Sequence, residues 1–454
     1  MPHVSLNPAT NQVIQIHPGW DNRRLEQALE KAHSAQHTWA QTPFEIRAKV
    51  LRQVAIQLRA QRDRYATLIT QEMGKLLREA HAEVEKCAGV CDYYAQHAEN
   101  FLRAEPVESD AGKSYIAYYP LGVVLAVMPW NFPFWQVFRA AAPALMAGNA
   151  LVLKHAPNVP QCALAIEALF LKCGLPEGLF ANLMIEVEQV AEAIASPHVH
   201  AVTLTGSEAA GRKVAACAGQ HLKKCVLELG GSDPFIVLRD ADLELAVNMA
   251  VLSRFLNCGQ SCIAAKRFIV VPQIADEFLH QFKIKVAALK LGDPMDDATQ
   301  IGPMARLDLR EALHRQVTDS TAQGAVAVTG CKPVERDGFF YQPSILDQVT
   351  AKACAYHEEL FGPVAIIIRA ANETDALRIA NETRFGLGSS IWSKDVARAE
   401  QMAAHIQAGC TFINGMVKSD PRLPFGGVKA SGYGRELSKL GIHEFVNAKT
   451  VWIR

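Results

Sequence analysis

Hydrophobic and polar positions follow two different patterns along the chain. From residue 22 to residue 103, alanine and leucine recur among glutamate and arginine, with breaks near Thr42 and Pro43 and at Gly74. This composition and spacing predict a run of helices. From Val123 onward, short runs rich in valine, leucine and isoleucine alternate with helical stretches. Strand and helix in alternation indicate parallel sheets joined by right-handed crossovers.

The β-rich runs fall into two sets. The first set comprises residues 123–128, 150–154, 201–205 and 225–229, with helices predicted at 134–147, at 159–173 and from Glu208. The second set comprises residues 234–238, 268–271, 364–369, 389–392 and 410–414, with a helix that begins at Asp240 or Asp242. We therefore predict two α/β units.

Residues 113–119 and 445–453 also have the composition of strands, but neither stretch falls within the alternation of strands and helices. Strands that belong to neither sheet indicate an arm that pairs with another subunit.

Composition and charge exclude several classes of protein. Half of the 454 residues are hydrophobic and a fifth are charged, so the chain can bury a large core and is not expected to be disordered. Lys plus Arg and Asp plus Glu both total 46, which argues against nucleic acid or an acidic membrane surface as a partner. The eleven cysteines lack paired metal-ligand spacing and predict reduced thiols in a cytoplasmic protein without a metal site. The first 18 residues lack the pattern of a secretory signal.

Residues 114–138 contain no charged side chain, yet they do not predict a membrane span. Three prolines in this stretch remove backbone donors, and Asn131 and Gln136 would lack polar partners in lipid. A buried strand, a loop and the start of a helix account for the stretch better.

The loop 257–262 follows a predicted helix, precedes a predicted strand and contains two cysteines, Cys258 and Cys262. Most single cysteines are small buried hydrophobic residues. Gly259 and Gln260 favour an exposed loop, which makes Cys262 a better candidate for a reactive thiol than Cys258 at the helix end. Because the two cysteines are four residues apart, a reversible disulfide between them is an open alternative.

Three further positions follow predicted strands. Glu228 closes an apolar run, where desolvation would raise its pKa toward the range of a general base, although a surface position at the strand end is equally compatible. Asn131 is either a donor to a developing oxyanion or an ordinary turn asparagine. The junction 205–207, Thr-Gly-Ser, offers a helix N-terminus to a phosphate, but many such turns bind no ligand.

Arg139 is the one charged residue between Ser114 and Leu153. An arginine in so apolar a segment needs an anion to offset its desolvation. That anion is either a carboxylate of the substrate or a distant Asp or Glu in a structural ion pair.

Seven motifs occur in the order that is found in the aldehyde dehydrogenase superfamily. They are PWNFP (129–133), LVLKHAP (151–157), TGS (205–207), LELGG (227–231), GQSC (259–262), EELFGP (358–363) and PFGGVKASGYGRE (424–436). The chain therefore resembles this superfamily over essentially its whole length. Residues 223–238 and 441–452 are most similar to the shorter bacterial succinate-semialdehyde dehydrogenases.

The resemblance implies the α/β fold of that superfamily and a homodimer or homotetramer. The implied parts are a Rossmann-like NAD(P)-binding domain (1–112 and 121–227), an α/β catalytic domain (228–426) and a β-strand oligomerisation arm (113–120 and 427–454).

The resemblance also implies three catalytic residues. Cys262 would be the nucleophile, Glu228 the general base, and Asn131 an oxyanion donor beside the backbone N–H of Cys262. The implied reaction is NAD(P)-dependent oxidation of a small-molecule aldehyde to an acid through a cysteine thioester that water hydrolyses. Succinate semialdehyde is the implied substrate, and other aliphatic or aromatic aldehydes are alternatives. Glu228 argues against the alternative of a coenzyme-A-acylating enzyme, because that branch usually lacks this base.

By the same resemblance the cofactor is NAD or NADP. The cofactor-binding positions are Trp130, Lys154, Pro157, Gly206, Ser207, Glu359 and Phe361. Lys154 would lie at the adenine ribose, Gly206 and Ser207 near the pyrophosphate, and Glu359 and Phe361 around the nicotinamide. Many members that prefer NAD carry a glutamate where this chain has Pro157, and the charge of that glutamate would repel a 2′-phosphate. NADP is therefore compatible with this sequence.

Arg139 and Ser419 match positions that bind the substrate carboxylate in succinate-semialdehyde dehydrogenases. Leu256 replaces a second arginine that some members carry six residues before the nucleophile. The candidates to compensate for it are Arg254, Lys418 and Arg422.

Two other classes of function share some of these features. A cysteine hydrolase could use Cys262 and Glu228 without a nicotinamide, and a silent binding or structural protein could keep the same fold. Neither class accounts for all seven motifs.

Overall fold

The structure, a computed structural model, describes residues 3–454. Its α-helices are α1 (Asn22–Gln41), α2 (Phe44–Ala60), α3 (Arg62–Met73), α4 (Leu77–Phe101), α5 (Trp135–Met146), α6 (Pro160–Lys172), α7 (Val190–Ala195), α8 (Glu208–Gln220), α9 (Leu243–Phe255), α10 (Ala275–Ala287), α11 (Leu307–Ala322), α12 (Cys354–His357), α13 (Glu373–Asn381), α14 (Val396–Ala403) and α15 (Ser438–His443).

The strands alternate with these helices. They are β1 (His3–Asn7), β2 (Gln12–His17), β3 (Glu105–Pro106), β4 (Lys113–Pro120), β5 (Val123–Met128), β6 (Ala150–His155), β7 (Phe180–Asn182), β8 (Ala201–Thr205), β9 (Lys224–Glu228), β10 (Asp233–Val237), β11 (Ala265–Val270), β12 (Val326–Thr329), β13 (Ser344–Asp347), β14 (Val364–Arg369), β15 (Gly388–Trp392), β16 (Cys410–Ile413), β17 (Gly432–Tyr433) and β18 (Val446–Ile453).

Two large sheets form the body of the molecule. A six-stranded sheet has the order β17-β9-β8-β5-β6-β7, and a seven-stranded sheet has the order β12-β13-β14-β11-β10-β15-β16. Neighbouring strands are parallel except at β17 in the first sheet and β12 in the second. The chain passes from the first sheet to the second between β9 and β10, which confirms the two predicted α/β units.

The central strands are buried on both faces because helices cover both sides of each sheet. Every residue of β5 except Val127 is buried, and β6, β8, β10 and β11 are buried throughout. This explains why their sequences are mostly apolar rather than alternating, with exceptions such as the buried Lys266 and Arg267 of β11.

Helix α5 is buried along its whole length, including its one charged residue, Arg139. Its N-terminus is fixed by Glu83 of α4, whose Oε1 accepts hydrogen bonds from the backbone N–H groups of Phe134 and Trp135, both at 2.9 Å. A carboxylate at this position also stabilises the helix dipole. The buried Glu83 is paired in turn with Lys75, so the start of α5 and the loop before it are held against α4.

A third sheet has the order β18-β4-β3 and lies outside both large sheets, as predicted for residues 113–119 and 445–453. Strands β4 and β18 pair antiparallel along their full lengths. Tyr119, Trp452 and Ile453 are each about half exposed on this sheet. Its pairing with another subunit stays a prediction, and so do the limits of the three domains.

None of the helices within residues 3–454 combines the length and apolar character that a bilayer span requires.

Candidate active site

Most of the predicted site residues lie where the two sheets meet. In the first sheet Val127 of β5 is opposite Leu204 of β8, and Thr205 is opposite Glu228 of β9, so these three strands end at the same edge. The loops that follow β5 and β8 therefore come together with the end of β9. The cysteine loop of the second α/β unit, which leads into β11, faces them.

A first cavity of about 390 Å³ lies at this edge. Its lining includes the predicted residues Trp130, Asn131, Gly206, Ser207, Cys262, Glu359 and Phe361. The rings of Trp130 and Phe361 meet edge to face, with 5.8 Å between their centroids. The structure therefore brings together most of the predicted cofactor-binding residues and the candidate nucleophile.

The first cavity has the features that a dinucleotide needs. Ser207 caps α8, and its Oγ accepts the N–H of Ala210 at 3.3 Å, so the helix N-terminus faces the cavity. A Cβ on Gly206 would meet only ordinary contacts within the chain, the nearest being Leu204 at 3.5 Å. The chain's own packing does not demand glycine there, whereas close approach of a phosphate would. These residues fit the pyrophosphate and nicotinamide portions of NAD or NADP.

Glu359 lies on the opposite wall of the first cavity. Its Oε1 accepts the backbone N–H of Gly231 at 3.1 Å and lies 3.2 Å from Nζ of Lys266. A carboxylate fixed in this way can accept hydrogen bonds from ribose hydroxyls.

Lys154 and Pro157 lie at the end of β6 and do not line the first cavity as described for residues 3–454. Lys154 is buried, which lowers the pKa of its ammonium, although the charges of Glu186 and Glu188 favour the protonated form. Pro157 is exposed. Their location beside the adenine ribose stays a prediction.

A second cavity of about 110 Å³ lies on the other side of the cysteine loop. Arg139, Ser419 and Leu256 line it, and so does Cys262. Cys262 thus lines both cavities, with the predicted cofactor residues on one side and the predicted substrate residues on the other.

Two buried cations fix the loop that carries Cys262. Lys266 donates from Nζ to the carbonyl oxygens of Ser261 and Cys262, both at 2.9 Å. Arg254 donates to the carbonyl oxygens of Gly259 at 3.0 Å and Leu360 at 3.2 Å. The guanidinium of Arg254 is therefore used to join the cysteine loop to the loop of Glu359. The structure gives Arg254 a structural position and not that of the missing substrate arginine.

The two cysteines of the loop differ in position. Both are free thiols. Cys258 is buried in a tight turn with a φ of 55° and does not line either cavity as described for residues 3–454. Burial raises the pKa of both thiols, that of Cys262 to about 12, and the Arg139 and Lys266 cations oppose the rise at Cys262. Because a cation, Arg254, also opposes the rise at Cys258, the feature that sets Cys262 apart is its position on the wall of both cavities.

Asn131 lies beside Cys262 on the wall of the first cavity. Its Nδ2 donates to the backbone carbonyl oxygen of Gln260 at 3.1 Å. Its backbone carbonyl oxygen accepts a hydrogen bond from Nδ2 of Asn257 at 2.8 Å. Since an amide nitrogen carries two hydrogens, a second one is available to an oxyanion formed next to Cys262.

Glu228 is buried at the end of β9, and within residues 3–454 neither of its carboxylate oxygens has a hydrogen-bond partner. Gly426 makes room for it, because a Cβ there would lie 2.7 Å from Oε1 of Glu228. Burial and the neighbouring carboxylate of Glu436 raise the pKa of Glu228 well above its ordinary value, and the cations of Arg139 and Arg435 oppose the rise. A carboxyl group with a raised pKa suits general base catalysis.

Of the two partners that the sequence left open for Arg139, the structure contains the structural carboxylate. Nε of Arg139 forms a buried ion pair with Glu436, and its Nη2 donates to Oγ1 of Thr205 at 3.2 Å. The guanidinium also lies 4.9 Å from the centroid of the Phe425 ring. The structural ion pair is therefore present, and Arg139 lines the second cavity as well.

Three residues of the site were missed at the sequence level. They are Lys86, Lys266 and Glu436. Glu436 ends one of the seven motifs, so the motif itself was a signal. Lys86 has no local signal, because its hydrogen-bond partner Ser419 lies far away in the sequence. Lys266 binds carbonyls of the adjacent cysteine loop, so its position four residues after Cys262 was an available signal.

The other two candidates for a second cation are exposed. Arg422 forms an ion pair with Asp420, with 2.6 Å between Nη2 and Oδ2. Lys418 lines the second cavity, but it is exposed to solvent.

Residues 3–454 contain no group of three or more His, Cys, Asp or Glu side chains that could hold a metal ion.

Known proteins resemble this chain along nearly its whole length. A sequence model of the aldehyde dehydrogenase family matches residues 3–451. An NAD(P)+ succinate semialdehyde dehydrogenase of Escherichia coli is 48% identical over 449 residues, which cover 99% of this chain and 97% of that protein. The NADP(+) succinate-semialdehyde dehydrogenase 1 of Mycobacterium tuberculosis is 49% identical over 456 residues, and the alignment covers 100% of both proteins.

A solved structure of a similar protein has the same fold as this chain. The crystal structure of succinic semialdehyde dehydrogenase from Streptococcus pyogenes in complex with NADP+ superposes with a TM-score of 0.98 at 40% identity, covering 99% of each chain.

Proposed function

The chain belongs to the aldehyde dehydrogenase family, and on that premise we propose that it oxidises succinate semialdehyde to succinate with NADP or NAD. The observation that carries the proposal is the position of Cys262, which lines both the first cavity and the second. A thiol between a dinucleotide-shaped cavity and a small cavity lined by Arg139 and Ser419 can meet an aldehyde that carries its own carboxylate. The names of the similar proteins support the same substrate and cofactor.

In the proposed mechanism the Cys262 thiolate adds to the aldehyde carbon. The Arg139 and Lys266 cations favour that thiolate, whereas burial opposes it. The second N–H of Asn131 and the backbone N–H of Cys262 stabilise the oxyanion that forms. A bound NAD or NADP would supply the hydride acceptor. The residues that would hold it in the first cavity are Trp130, Gly206, Ser207, Glu359 and Phe361.

The resulting thioester is then hydrolysed. Glu228 takes a proton from the attacking water, and its raised pKa makes the carboxylate a stronger base than an ordinary glutamate. Arg139 and Glu436 tune that pKa in opposite directions. The loop contacts of Lys266 and Arg254 hold the sulfur in place through both halves of the reaction.

The direct test is a substrate panel. The purified protein is given succinate semialdehyde or butanal, which has four carbons but no carboxylate, each with NADP and with NAD. Absorbance of the reduced nicotinamide gives kcat/KM for the four combinations. A kcat/KM for succinate semialdehyde at least about 10-fold above that for butanal supports the proposal, since an ionic contact in a buried site contributes that much or more. Equal values would show that the substrate is another aldehyde.

We expect Arg139→Ala to lower the ratio of kcat/KM for succinate semialdehyde to that for butanal by about 30-fold or more. Removing one partner of a buried charge pair costs about 2–5 kcal/mol, and only one of these substrates carries the anion. Both substrates should lose some rate, because Glu436 is left without its cation.

A double variant separates the two effects of Arg139. Arg139→Ala with Glu436→Gln removes the unpaired carboxylate, so oxidation of butanal should recover in part while the preference for succinate semialdehyde does not. If Arg139→Ala leaves the substrate ratio unchanged, Arg139 is only a partner of Glu436.

We expect Pro157→Glu to lower the NADP/NAD ratio of kcat/KM by about 10-fold or more. A carboxylate beside the 2′-phosphate of NADP adds repulsion that NAD does not experience. Pro157→Gln is the matched control, since it has nearly the same side-chain size without the charge. Equal ratios in these two variants would show that residue 157 does not lie beside the ribose.

We further propose a homodimer or homotetramer assembled through the β18-β4-β3 sheet, with the protein in the cytoplasm. The exposed aromatic and apolar residues of β4 and β18 support the first point. Eleven free cysteines support a reducing compartment.

A further inference from the structure

Lys86 of α4 lies on the wall of the second cavity. Its Nζ donates to Oγ of Ser419 at 2.7 Å and lies 4.2 Å from the centroid of the Trp135 ring. Ser419 and Trp135 are both buried. These contacts hold the ammonium at one point of the cavity, bound to a serine that the substrate proposal already uses.

Lys86 has no counterion of its own. Within residues 3–454 it forms no ion pair. The two carboxylates whose charges act on it are paired with other cations, Glu83 with Lys75 and Asp420 with Arg422. Arg139 lines the same cavity, so two cationic side chains share a small, mostly apolar space. An anion that enters this space would relieve the repulsion between them.

The second cavity also has a larger neighbour. Lys86 lines a third cavity, of about 530 Å³, together with Phe132, Trp135 and Leu256, all of which line the second cavity too. The ammonium is therefore placed at the wall that the small cavity and the large one share. Leu256, the position where some family members carry an arginine, is on that same wall.

We infer that Lys86 binds the substrate carboxylate together with Arg139 and Ser419, and thereby takes the place of the arginine that Leu256 replaces. The inference rests on the proposed function and names the second cation of the substrate site. The other candidates do not meet the geometry. Arg254 is committed to backbone carbonyls, Arg422 is paired with Asp420, and Lys418 is exposed.

The test is Lys86→Met, which keeps the apolar stem on Trp135 and removes the charge. We expect kcat/KM for succinate semialdehyde to fall about 10- to 100-fold, the range for a lost hydrogen bond to a charged group, and that for butanal to fall much less. The loss should appear mainly in KM, because the carboxylate binds equally in the ground state and the transition state. Lys86→Arg should restore most of the preference for succinate semialdehyde.

A pH profile distinguishes this function from a packing role. Burial and the Arg139 cation lower the pKa of the Lys86 ammonium to about 8, while Glu83 and Asp420 oppose that shift and Cys87 lies nearby on the same helix. The lysine is protonated below this pH and loses its charge above it. KM for succinate semialdehyde should therefore rise above about pH 8 in the wild-type enzyme, but not in Lys86→Arg, and KM for butanal should not follow.

Lys418→Met is the matched control, because it removes an exposed lysine at the same cavity, where solvent screens the charge. It should change the substrate ratio less than Lys86→Met does. Equal losses on both substrates in Lys86→Met, or equal effects of the two lysine variants, would overturn the inference. If the wild-type enzyme shows no preference for succinate semialdehyde, the proposed function itself is wrong and the assignment of Lys86 falls with it. A preference that persists in Lys86→Met overturns the assignment alone.

Discussion

Replacing Cys262 with serine is expected to abolish aldehyde oxidation, lowering kcat by roughly 10³-fold or more. A serine hydroxyl ionises at a far higher pH than a cysteine thiol and is a much weaker nucleophile. At Cys262 burial raises the pKa of the thiol, and the Arg139 and Lys266 cations oppose that rise. The loop contacts of Lys266 and Arg254 are to backbone carbonyls, so they persist in the variant. Both the first turnover of reduced nicotinamide and the steady state should disappear.

Cys258→Ser is the matched control, because it makes the same change four residues away. Cys258 is buried in its turn and does not line the cavities described for residues 3–454, so most of the activity should remain. Comparable losses in the two variants would contradict the assignment of the nucleophile. Intact mass after mild peroxide, with and without reductant, would show whether the two thiols can join.

The central strands could be predicted from sequence nearly to the residue. Strands β5, β8 and β14 have the predicted bounds, 123–128, 201–205 and 364–369. Each is buried almost throughout, so its sequence is mostly apolar. The predictions were reliable where burial dictated the residue type.

The edge strands β16 and β18 were predicted, but β2 and β12 were not. β2 is exposed except at His17, and β12 at the edge of the seven-stranded sheet has no fully buried residue, so neither carries a strong hydrophobic pattern. The break between α2 and α3 at Gln61 was also missed, because no glycine or proline marks it. The local sequence carries a weak signal wherever distant segments of the same chain stabilise an element.

The site residues that belong to sequence motifs could be predicted. The contacts that depend on tertiary packing could not. The loops of Asn131 and Gly206 follow the adjacent parallel strands β5 and β8, so the strand order brings them together at the first cavity. Cys262 and Glu359 reach the same cavity from the second sheet. The contact of Lys86 with Ser419 and the pairing of Arg139 with Glu436 join segments that are far apart in sequence. No local pattern could indicate them. The roles of the individual residues stay predictions until the variants are measured.

Replacing Glu228 with glutamine is expected to lower steady-state turnover by roughly 10²–10⁴-fold, the usual contribution of a positioned base. Hydride transfer precedes the step that needs the base, so it should suffer less. A burst of reduced nicotinamide, equal in amount to the enzyme, should be followed by a slow phase in stopped-flow absorbance. Equal slowing of the two phases would contradict a role confined to hydrolysis of the thioester.

The pH dependence gives a second and independent check on Glu228. Its pKa is raised by burial and by Glu436, so the carboxylate becomes available as a base, and hydrolysis accelerates, as pH rises through that raised value. This rise should be absent in Glu228→Gln. Glu436→Gln removes the neighbouring negative charge and frees the Arg139 cation, and both changes lower the pKa of Glu228. The hydrolysis profile of that variant should therefore shift to lower pH, and an unshifted profile would mean that Glu228 is not the group that titrates.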